Sequence, residues 1–390
     1  MNQPTLEISW AENGEIHSAL WRSENGSPPP KRVQIADDTL TADAAYRLAS
    51  EGTALLWRGD YQNARQLLQA MARRMDQRGK GKKNSAAPEF PAAFHLHRQA
   101  QAQRARTLGM LIVPLNADYT IPLRRAQDVA QACEEAYGIA NAETPSSIDS
   151  IVSLRELLGI IGAHEWRKNG VPVNALGGKS IHPHYGVFSP VRGEYVDLVA
   201  NAPLPAAVLN GGTAIDIGVG SGILSAVLAQ CGVKNIIATD QDPRALACST
   251  ANIQRLGFAQ QVSIVEANLF PSAKADLIVC NPPWLPAKAN AAIEYALYDP
   301  DSQMLRGFLS GLAEHLNNNG EGWLIISDLA EHLKLRGRET LLGWIEAAGL
   351  TVIDRIDTRP KHGKAFDRED PLFSARSKEI TSLWRLGVSG

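Results

Sequence analysis

Four consecutive residues, Asn281-Pro282-Pro283-Trp284, combine hydrogen-bond acceptors, a rigid turn and an aromatic face. The Asn281 side-chain carbonyl and the Pro282 backbone carbonyl can each accept one N–H of a planar NH2 group. Two prolines stiffen the turn and keep both acceptors fixed, and the Trp284 ring offers a face on which an amide or a base can stack. We therefore expect all four residues to form a catalytic site for a planar nitrogen, although an Asn-Pro turn after a strand is frequent in isolation.

A glycine-rich loop precedes this tetrapeptide in the chain. Asp216 ends a predicted strand, and three glycines at alternate positions open the helix that follows: Gly218, Gly220 and Gly222. Glycines in such a loop permit a tight turn and let a ligand approach the backbone at the helix N-terminus. The pattern predicts a cofactor site, and the alternative is a strand-to-helix turn that holds no ligand.

The residues around the loop indicate which cofactor it would bind. Asp240 ends the next predicted strand and is placed to accept both ribose hydroxyls of an adenosine. A nicotinamide dinucleotide would be bound with the same geometry, but its G-x-G-x-x-G pattern needs glycine where this chain has Ile223. Asn268, after the third strand, could hydrogen-bond an adenine amine, although asparagine is also common in strand-end turns.

Regularly alternating elements position these residues in the second half of the chain. Apolar runs predict strands at 213–218, 235–240, 262–267, 275–280, 322–327, 350–356 and 381–387. Helical periodicity predicts helices at 222–231, 243–257, 302–317 and 330–348. This alternation predicts a doubly wound, parallel α/β sheet of seven strands that is covered on both faces.

The first half of the chain has a mixed α/β pattern. We expect a hairpin at 5–22, strands at 54–57 and 111–113, and a mobile loop at 78–88. Helices are expected after Thr41 and at 61–75, 94–108, 125–138 and 149–168. We interpret residues 1–185 as an accessory domain for substrate recognition and residues 186–390 as the domain that carries the chemistry.

Composition limits the class of protein. The 390 residues are 44% hydrophobic and 21% charged, with a net charge of −2, which argues against nonspecific nucleic-acid binding by the whole surface. The four cysteines form no CxxC pair, and His182 and His184 lack further ligands nearby, so we expect neither a disulfide nor a metal site. No signal peptide and no apolar run of membrane-spanning length is visible, so we expect a cytoplasmic protein with no membrane partner.

Residues 186–390 resemble class I S-adenosylmethionine-dependent methyltransferases of the small-methyltransferase-domain group. That group includes HemK/PrmC-type protein glutamine N5-methyltransferases and the RsmC-like and adenine-N6 enzymes that act on RNA or DNA. The resemblance implies a Rossmann-like domain that binds S-adenosyl-L-methionine and methylates the amine held by the tetrapeptide. It assigns cofactor binding to Asp216, Gly218, Gly220, Gly222, Asp240 and Asn268.

A second stretch supports the resemblance. Residues 185–194 are similar to the F-x-x-x-P-R-P-E-T-E-like segment that precedes the glycine loop in the glutamine enzymes, with departures at Val191 and Gly193. By this similarity Glu194 borders the active site and, with Trp284, contacts the substrate. Trp284 stands where tyrosine or phenylalanine is more usual.

Two macromolecular substrates remain open, a protein glutamine and an RNA base amine. The similarity around residues 188–194 favours glutamine. Residues 65–106 contain ten Lys or Arg against two acidic residues, which favours nucleic-acid binding unless this is an ordinary solvated surface. The other possibilities are a noncatalytic module that binds cofactor or RNA, a methyltransferase of small molecules, and an oxidoreductase, which Ile223 disfavours.

Overall fold

A computed structural model describes residues 6–80, 89–139, 149–189, 193–289, 294, 296–361 and 363–389. The chain divides into two compact units. The first consists of residues 1–88 and 95–165, and the second of residues 89–94 and 166–390. The predicted boundary between residues 185 and 186 falls inside the second unit, and the substrate-recognition role of the first domain stays a prediction.

The first unit is mixed α/β, as the sequence predicts, and is built on a six-stranded sheet with the order β1-β2-β6-β5-β4-β3. Its strands are β1 Glu7–Glu12, β2 Glu15–Arg22, β3 Arg32–Ala36, β4 Thr53–Trp57, β5 Leu111–Leu115 and β6 Ser150–Ser153. The helices of this part of the chain are α1 Ala42–Ser50, α2 Tyr61–Lys80, α3 Ala92–Leu108, α4 Ala130–Tyr137 and α5 Leu154–Asn169. Part of the predicted loop at 78–88, residues 81–88, lies outside the described residues.

The predicted helix at 149–168 is wrong at its start, because β6 is a strand. All four residues of β6 are buried, and the strand is paired with β2 on one side and β5 on the other. A short, fully buried segment cannot be assigned to a strand or a helix by periodicity alone. The central position of β6 in the sheet, which the sequence does not reveal, decides its structure.

The β1–β2 hairpin covers one face of its own sheet. Strands β1 and β3 lie at opposite ends of the strand order, yet they contact each other. Ile8 and Trp21 of the hairpin pack with Leu56 and Ile112 of the central strands in one buried cluster. The alternate residues of the central strands pack against helices in a second cluster, so both faces of the sheet are covered.

The second unit contains a seven-stranded sheet with the order β11-β10-β9-β12-β13-β15-β14, which confirms the predicted strand number. Its strands, preceded by the short pair β7 Val171–Pro172 and β8 Ser180–Ile181, are β9 Thr213–Ile217, β10 Asn235–Asp240, β11 Val262–Glu266, β12 Ala275–Cys280, β13 Leu316–Ser327, β14 Leu350–Thr358 and β15 Thr381–Val388. Its helices are α6 Glu194–Asn201, α7 Ala206–Leu209, α8 Ile223–Gln230, α9 Pro243–Leu256, α10 Gln303–His315, α11 Leu329–His332, α12 Arg338–Ala347 and α13 Phe373–Arg376. β15 is antiparallel to both of its neighbours.

The predicted helix at 330–348 is two helices, α11 and α12. The chain between them turns at Lys334, which has a φ of 55°, and α12 begins after the extended residue Gly337. A left-handed residue cannot continue an α-helix, so the helical periodicity of the sequence spans a real break. The connection places Arg336 in the interior, where it is 8% exposed.

A separate apolar cluster of the second unit includes a residue from the early part of the chain. Phe94 is 2% exposed and packs with Leu329, Leu333, Leu372 and Ala375. Phe94 belongs to the short segment 89–94, which interrupts the sequence of the first unit. The second unit is therefore assembled from two separate stretches of sequence.

The cover over the first unit's sheet leads to a stability prediction. Ile8→Ala removes a side chain that is 1% exposed, and such a truncation costs about 2–5 kcal/mol of unfolding free energy. Ile16→Ala is the matched control, since Ile16 lies in the same hairpin but is 78% exposed. Urea unfolding followed by circular dichroism measures both, and equal small effects would show that the hairpin does not seal this face.

Candidate active site

The glycine loop has a backbone that requires glycine. Gly218, Gly220 and Gly222 have φ values of 76°, 51° and 83°, in the left-handed region where other residues are strained. A Cβ atom at Gly218 would lie 2.7 Å from the Met304 methyl carbon, and one at Gly222 would lie 3.2 Å from Ser249. At Gly220 the nearest atom would be 3.9 Å away, so the loop is open on that side and leaves space for a ligand.

Asp240 lies beside the open part of this loop. One of its carboxylate oxygens accepts the Gly220 backbone N–H at 3.1 Å and the other accepts that of Asp242 at 3.0 Å. Each oxygen keeps a lone pair for a further hydrogen bond. The half-buried carboxylate thus braces the loop and can also accept two ribose hydroxyls, so the residues present fit an adenosine-containing cofactor.

Asp216, in contrast, is enclosed by protein. It is 1% exposed and accepts a 2.6 Å hydrogen bond from the Ser225 hydroxyl of α8. Burial raises the pKa of Asp216 to about 6, against the opposing effect of the Ser225 hydrogen bond. The carboxylate therefore joins the end of β9 to the helix that the glycine loop opens, which fixes the two ends of the loop.

Asn268 lies on the turn after β11, with an exposed side chain. The next residue, Leu269, has a φ of 69°, and its carbonyl accepts a 2.6 Å hydrogen bond from the Thr239 hydroxyl. The backbone N–H of Ala267 also donates to the Asp240 carbonyl at 3.0 Å. These bonds hold the turn at the end of β10, close to Asp240, and leave the Asn268 side chain accessible.

The predicted catalytic tetrapeptide begins directly after β12, and its Asn281 side chain is already oriented. The Trp284 indole N–H donates to Asn281 Oδ1 at 2.9 Å, and both residues are half-buried. Pro282 is buried. Since an amide oxygen has two lone pairs, Asn281 can hold the indole N–H and still accept one N–H from a substrate.

The sheet brings the glycine loop and the tetrapeptide together. β9 and β12 are parallel neighbours in which Ile217 is paired with Cys280, so Gly218 and Asn281 each follow a paired residue at the same edge. β10 is the parallel neighbour on the other side of β9, and Asp240 ends it. Carboxyl ends of parallel strands are the usual ligand-binding edge of such a sheet.

Glu194, which is expected to border the active site, is a buried residue. It is the first residue of α6 and is 4% exposed. Burial raises the pKa of the neighbouring Tyr195, and the charges of Asp216 and Glu194 raise it further, so the two carboxylates lie near the same tyrosine. Residues 190–192 of the predicted substrate segment lie outside the described residues, and the substrate-binding role of Glu194 stays a prediction.

One supporting residue that sequence reasoning missed is Asn252. Its side chain donates to the Ser221 carbonyl at 3.0 Å and to the His182 carbonyl at 3.2 Å, and it accepts the His182 N–H at 2.9 Å. Asn252 thereby joins the segment that contains His182 and His184 to the glycine loop. Because Asn252 is distant in sequence from both segments, no local pattern indicates this role. The pKa of His184 is lowered to about 4, chiefly by burial and also by the charges of Arg167 and Arg255.

Three more missed residues surround the tetrapeptide and the loop: Asp299, Met304 and Arg336. Each lies outside the two motifs in sequence, and Asp299 and Arg336 are ionisable residues in the interior. Among the described residues, no group of three or more His, Cys, Asp or Glu could hold a metal ion. The described helices likewise include none with the length and hydropathy of a membrane span.

The basic segment is partly neutralised within the first unit. Arg74 forms a 2.6 Å ion pair with Asp43, and Arg104 forms a 3.2 Å ion pair with Asp76. The segment 65–106 also includes Lys82 and Lys83, which lie outside the described residues. The cationic surface available to a nucleic acid is therefore smaller than the count of Lys and Arg suggests.

These features lie in a part of the chain that is similar to known proteins. Residues 202–282, which include the glycine loop, Asp240 and Asn281, match the family of the ribosomal protein L11 methyltransferase (PrmA). The ribosomal protein L11 methyltransferase of Pelotomaculum thermopropionicum is 31% identical over 153 residues, 34% of this chain and 49% of that protein. The release factor glutamine methyltransferase of Gloeobacter violaceus is 28% identical over 222 residues, 55% of this chain and 70% of that protein.

The extent of these matches is limited. The chain spans about half the length of the L11 methyltransferases that it matches. A solved structure of the ribosomal protein L11 methylase from Lactobacillus delbrueckii subsp. bulgaricus covers 55% of this chain and 87% of its own, at 17% identity and a TM-score of 0.37. Over the matched residues, the chain is therefore similar to class I S-adenosylmethionine-dependent methyltransferases.

Proposed function

We propose that this protein methylates a planar amide or amine nitrogen of a macromolecule, with the side-chain amide of a protein glutamine as the favoured acceptor. The observation that carries the proposal is the position of the tetrapeptide. It starts at the carboxyl end of β12, beside the strand that carries the glycine loop. A nitrogen held by Asn281 would therefore lie at the same edge of the sheet as a cofactor held by the loop.

The residues of the glycine loop and its surroundings would hold S-adenosyl-L-methionine. When bound, this cofactor supplies a methyl group on a sulfonium centre, which is a good leaving group. Asp240 would accept the ribose hydroxyls, the open backbone at Gly220 would allow close approach, and Asn268 would contact the adenine edge. Asp216 would act from below the loop by fixing its two ends.

The tetrapeptide would prepare the nucleophile. The lone pair of an amide nitrogen is delocalised, so its orientation toward the methyl carbon has to be imposed by the protein. Asn281 Oδ1 and the Pro282 carbonyl would each accept one N–H, and the Trp284 ring would support the planar group. As the new N–C bond forms and the C–S bond breaks, the nitrogen gains positive charge and can then lose its proton to water, so a strong base is not required.

Two observations favour a protein acceptor over an RNA base. The relatives are named for protein substrates, ribosomal protein L11 and the glutamine of a release factor, and the second match extends over 70% of that relative. Arg74 and Arg104 of the basic segment are already engaged in ion pairs with Asp43 and Asp76. An RNA base amine stays the second candidate because exposed Arg73 and Arg106 of the same segment could still bind phosphates.

Transfer of labelled methyl groups would test the proposal. The purified protein and radiolabelled S-adenosylmethionine are added to a lysate of cells that lack it, with Asn281→Ala as the matched control. We expect label that protease releases and ribonuclease does not, recovered as N5-methylglutamine after enzymatic digestion. Label released by ribonuclease would instead identify an RNA substrate. Absence of macromolecular label, with cofactor binding intact, would favour a small substrate or a noncatalytic module.

Substitutions should separate cofactor binding from transfer. Asp240→Ala removes a charged hydrogen-bond acceptor, worth about 1.5–3 kcal/mol, and should weaken S-adenosylmethionine binding by about tenfold or more. Asn281→Ala should leave that affinity unchanged and lower the transfer rate by about a hundredfold, as expected for a group that orients the reacting atom. Calorimetry and single-turnover kinetics measure the two quantities. Equal loss of affinity in both variants would contradict this division.

The buried Asp216 should make stability depend on pH. Because its pKa rises from 3.8 to about 6 on folding, the folded protein loses stability as pH rises through this interval, by about 1.4 kcal/mol per pH unit. Asp216→Asn keeps an acceptor for Ser225 and cannot ionise. We expect this variant to be more stable than the wild type at pH 8, by at most about 3 kcal/mol, with the difference vanishing near pH 4. Urea unfolding at the two pH values checks the sign, and a variant less stable at pH 8 would refute it.

A further inference from the structure

The tetrapeptide is the first part of a loop whose two ends are held together. After Trp284 the chain leaves the sheet and returns to Asp299, just before α10. The backbone N–H of Leu285 donates to Leu297 at 3.2 Å, and that of Asp299 donates back to Leu285 at 2.9 Å. Trp284, the last residue of the tetrapeptide, therefore lies directly before the paired base of this loop.

One buried side chain crosses this base. Arg336 is 8% exposed, and its guanidinium donates from Nη1 to the Ser302 hydroxyl at 3.0 Å and from Nη2 to the Trp284 carbonyl at 3.3 Å. Trp284 is on the outgoing side of the loop and Ser302 on the returning side. The planar fork of an arginine can hold two such acceptors at a fixed separation, whereas the ammonium of lysine is a single point.

Acidic residues near Arg336 compensate its positive charge, and one of them is itself held in a fixed position. Burial lowers the pKa of Arg336, and the charges of Glu331 and Asp299 oppose this effect. Asp299 is 5% exposed and is itself fixed, since its carboxylate accepts the backbone N–H groups of Met304 and Leu305, each at 3.1 Å. A buried cation with fixed acceptors and a fixed counter-charge has one favoured orientation.

The returning side of the loop contains strained backbone. Asp301 and Ser302 both have a φ of 54°, and a residue other than glycine in this region costs about 1 kcal/mol or more. Such a conformation persists only where the surrounding contacts impose it. The hydrogen bond from Arg336 to the Ser302 hydroxyl is one of these contacts, so the strained segment and the tetrapeptide are held by the same guanidinium.

We infer that Arg336 is a positioning residue for methyl transfer, which acts by fixing the Trp284 backbone so that the indole N–H stays bonded to Asn281 Oδ1. The inference rests on the proposed function, because it assigns a purpose to the orientation of the Asn281 amide. A rotated Asn281 would present its NH2 group, a donor, where a substrate amine needs an acceptor. Trp284 thus has a second role besides stacking, which phenylalanine could not fill because it lacks a donor.

The alternative is that Arg336 only stabilises the fold. The Asn281–Trp284 bond allows a direct test that needs no substrate. In protein labelled with 15N-tryptophan, the Trp284 indole signal is identified by its absence from Trp284→Phe. We expect Arg336→Met to make this N–H exchange with solvent about tenfold faster or more, as expected when an internal hydrogen bond opens, while the other indole signals are unchanged.

Matched variants keep the test independent of folding. Arg338→Met is the control, since Arg338 lies two positions further on, is partly exposed, and forms a 2.6 Å ion pair with Glu331. Arg336→Lys keeps the charge and should recover part of the exchange protection. Ser302→Ala removes only the second acceptor and should act in the same direction as Arg336→Met. If Arg336→Met does not fold, Ser302→Ala replaces it in the test.

Kinetics provide the second readout. Arg336→Met should lower kcat by about tenfold or more, as expected for misplacement of a reacting group, with S-adenosylmethionine affinity unchanged. In a Trp284→Phe background the same substitution should have less than about a twofold effect, because residues that act through one contact are not additive. The inference would be overturned if the effects of Arg336→Met and Trp284→Phe on kcat multiplied in the double variant. It would also be overturned if the indole N–H of Arg336→Met were as protected from exchange as in the wild type. A wild type that methylates no macromolecule would instead overturn the proposed function, while the exchange measurement would still decide the role of Arg336.

Discussion

The parallel pairing of β9 with β12 is the constraint on which the site depends. The two strands are separated in sequence by β10, β11 and their helices, yet their last residues, Ile217 and Cys280, are paired. Both are buried, Ile217 at 1% exposure and Cys280 at 0%, and alternate residues of the two strands pack into different core clusters. A slip of one residue would therefore move every side chain of a strand into the cluster on the opposite face. The glycine loop and the tetrapeptide inherit their separation from this register.

Polar contacts hold the glycine loop and the tetrapeptide on either side of this pairing, whereas the loop stays open at Gly220. Asp216 and Asn252 secure the glycine loop from the protein side, and Asp240 braces it at Gly220. Arg336 does the same for the tetrapeptide. In each case a single polar side chain joins two separate elements or segments, which is how a loop can hold a precise geometry without its own secondary structure.

The sequence could predict what is local and repetitive. Apart from β13, the sequence predicts the bounds of the strands in the second unit within a few residues, because alternating elements and glycine turns are strong signals. β13 is longer than predicted, since residues 317–321 have little strand propensity but Leu316 is paired with Ala275 of β12. The sequence does not indicate that Arg336 is a site residue, because it falls within the predicted helix at 330–348. Tertiary contacts decide both the length of β13 and the position of Arg336. The binding roles of the predicted site residues stay predictions.

The short segment 89–94 has a consequence for dividing the protein. Because Phe94 is part of a core cluster of the second unit, a fragment that starts at residue 166 would lack it. The side chains that Phe94 covers, Leu329 and Leu333 of the region around α11, would then meet water, at a cost of about 1.5–3 kcal/mol for each large apolar side chain exposed. No single cut of the chain yields both units intact, because residues 89–94 of the second unit lie between the two stretches of the first.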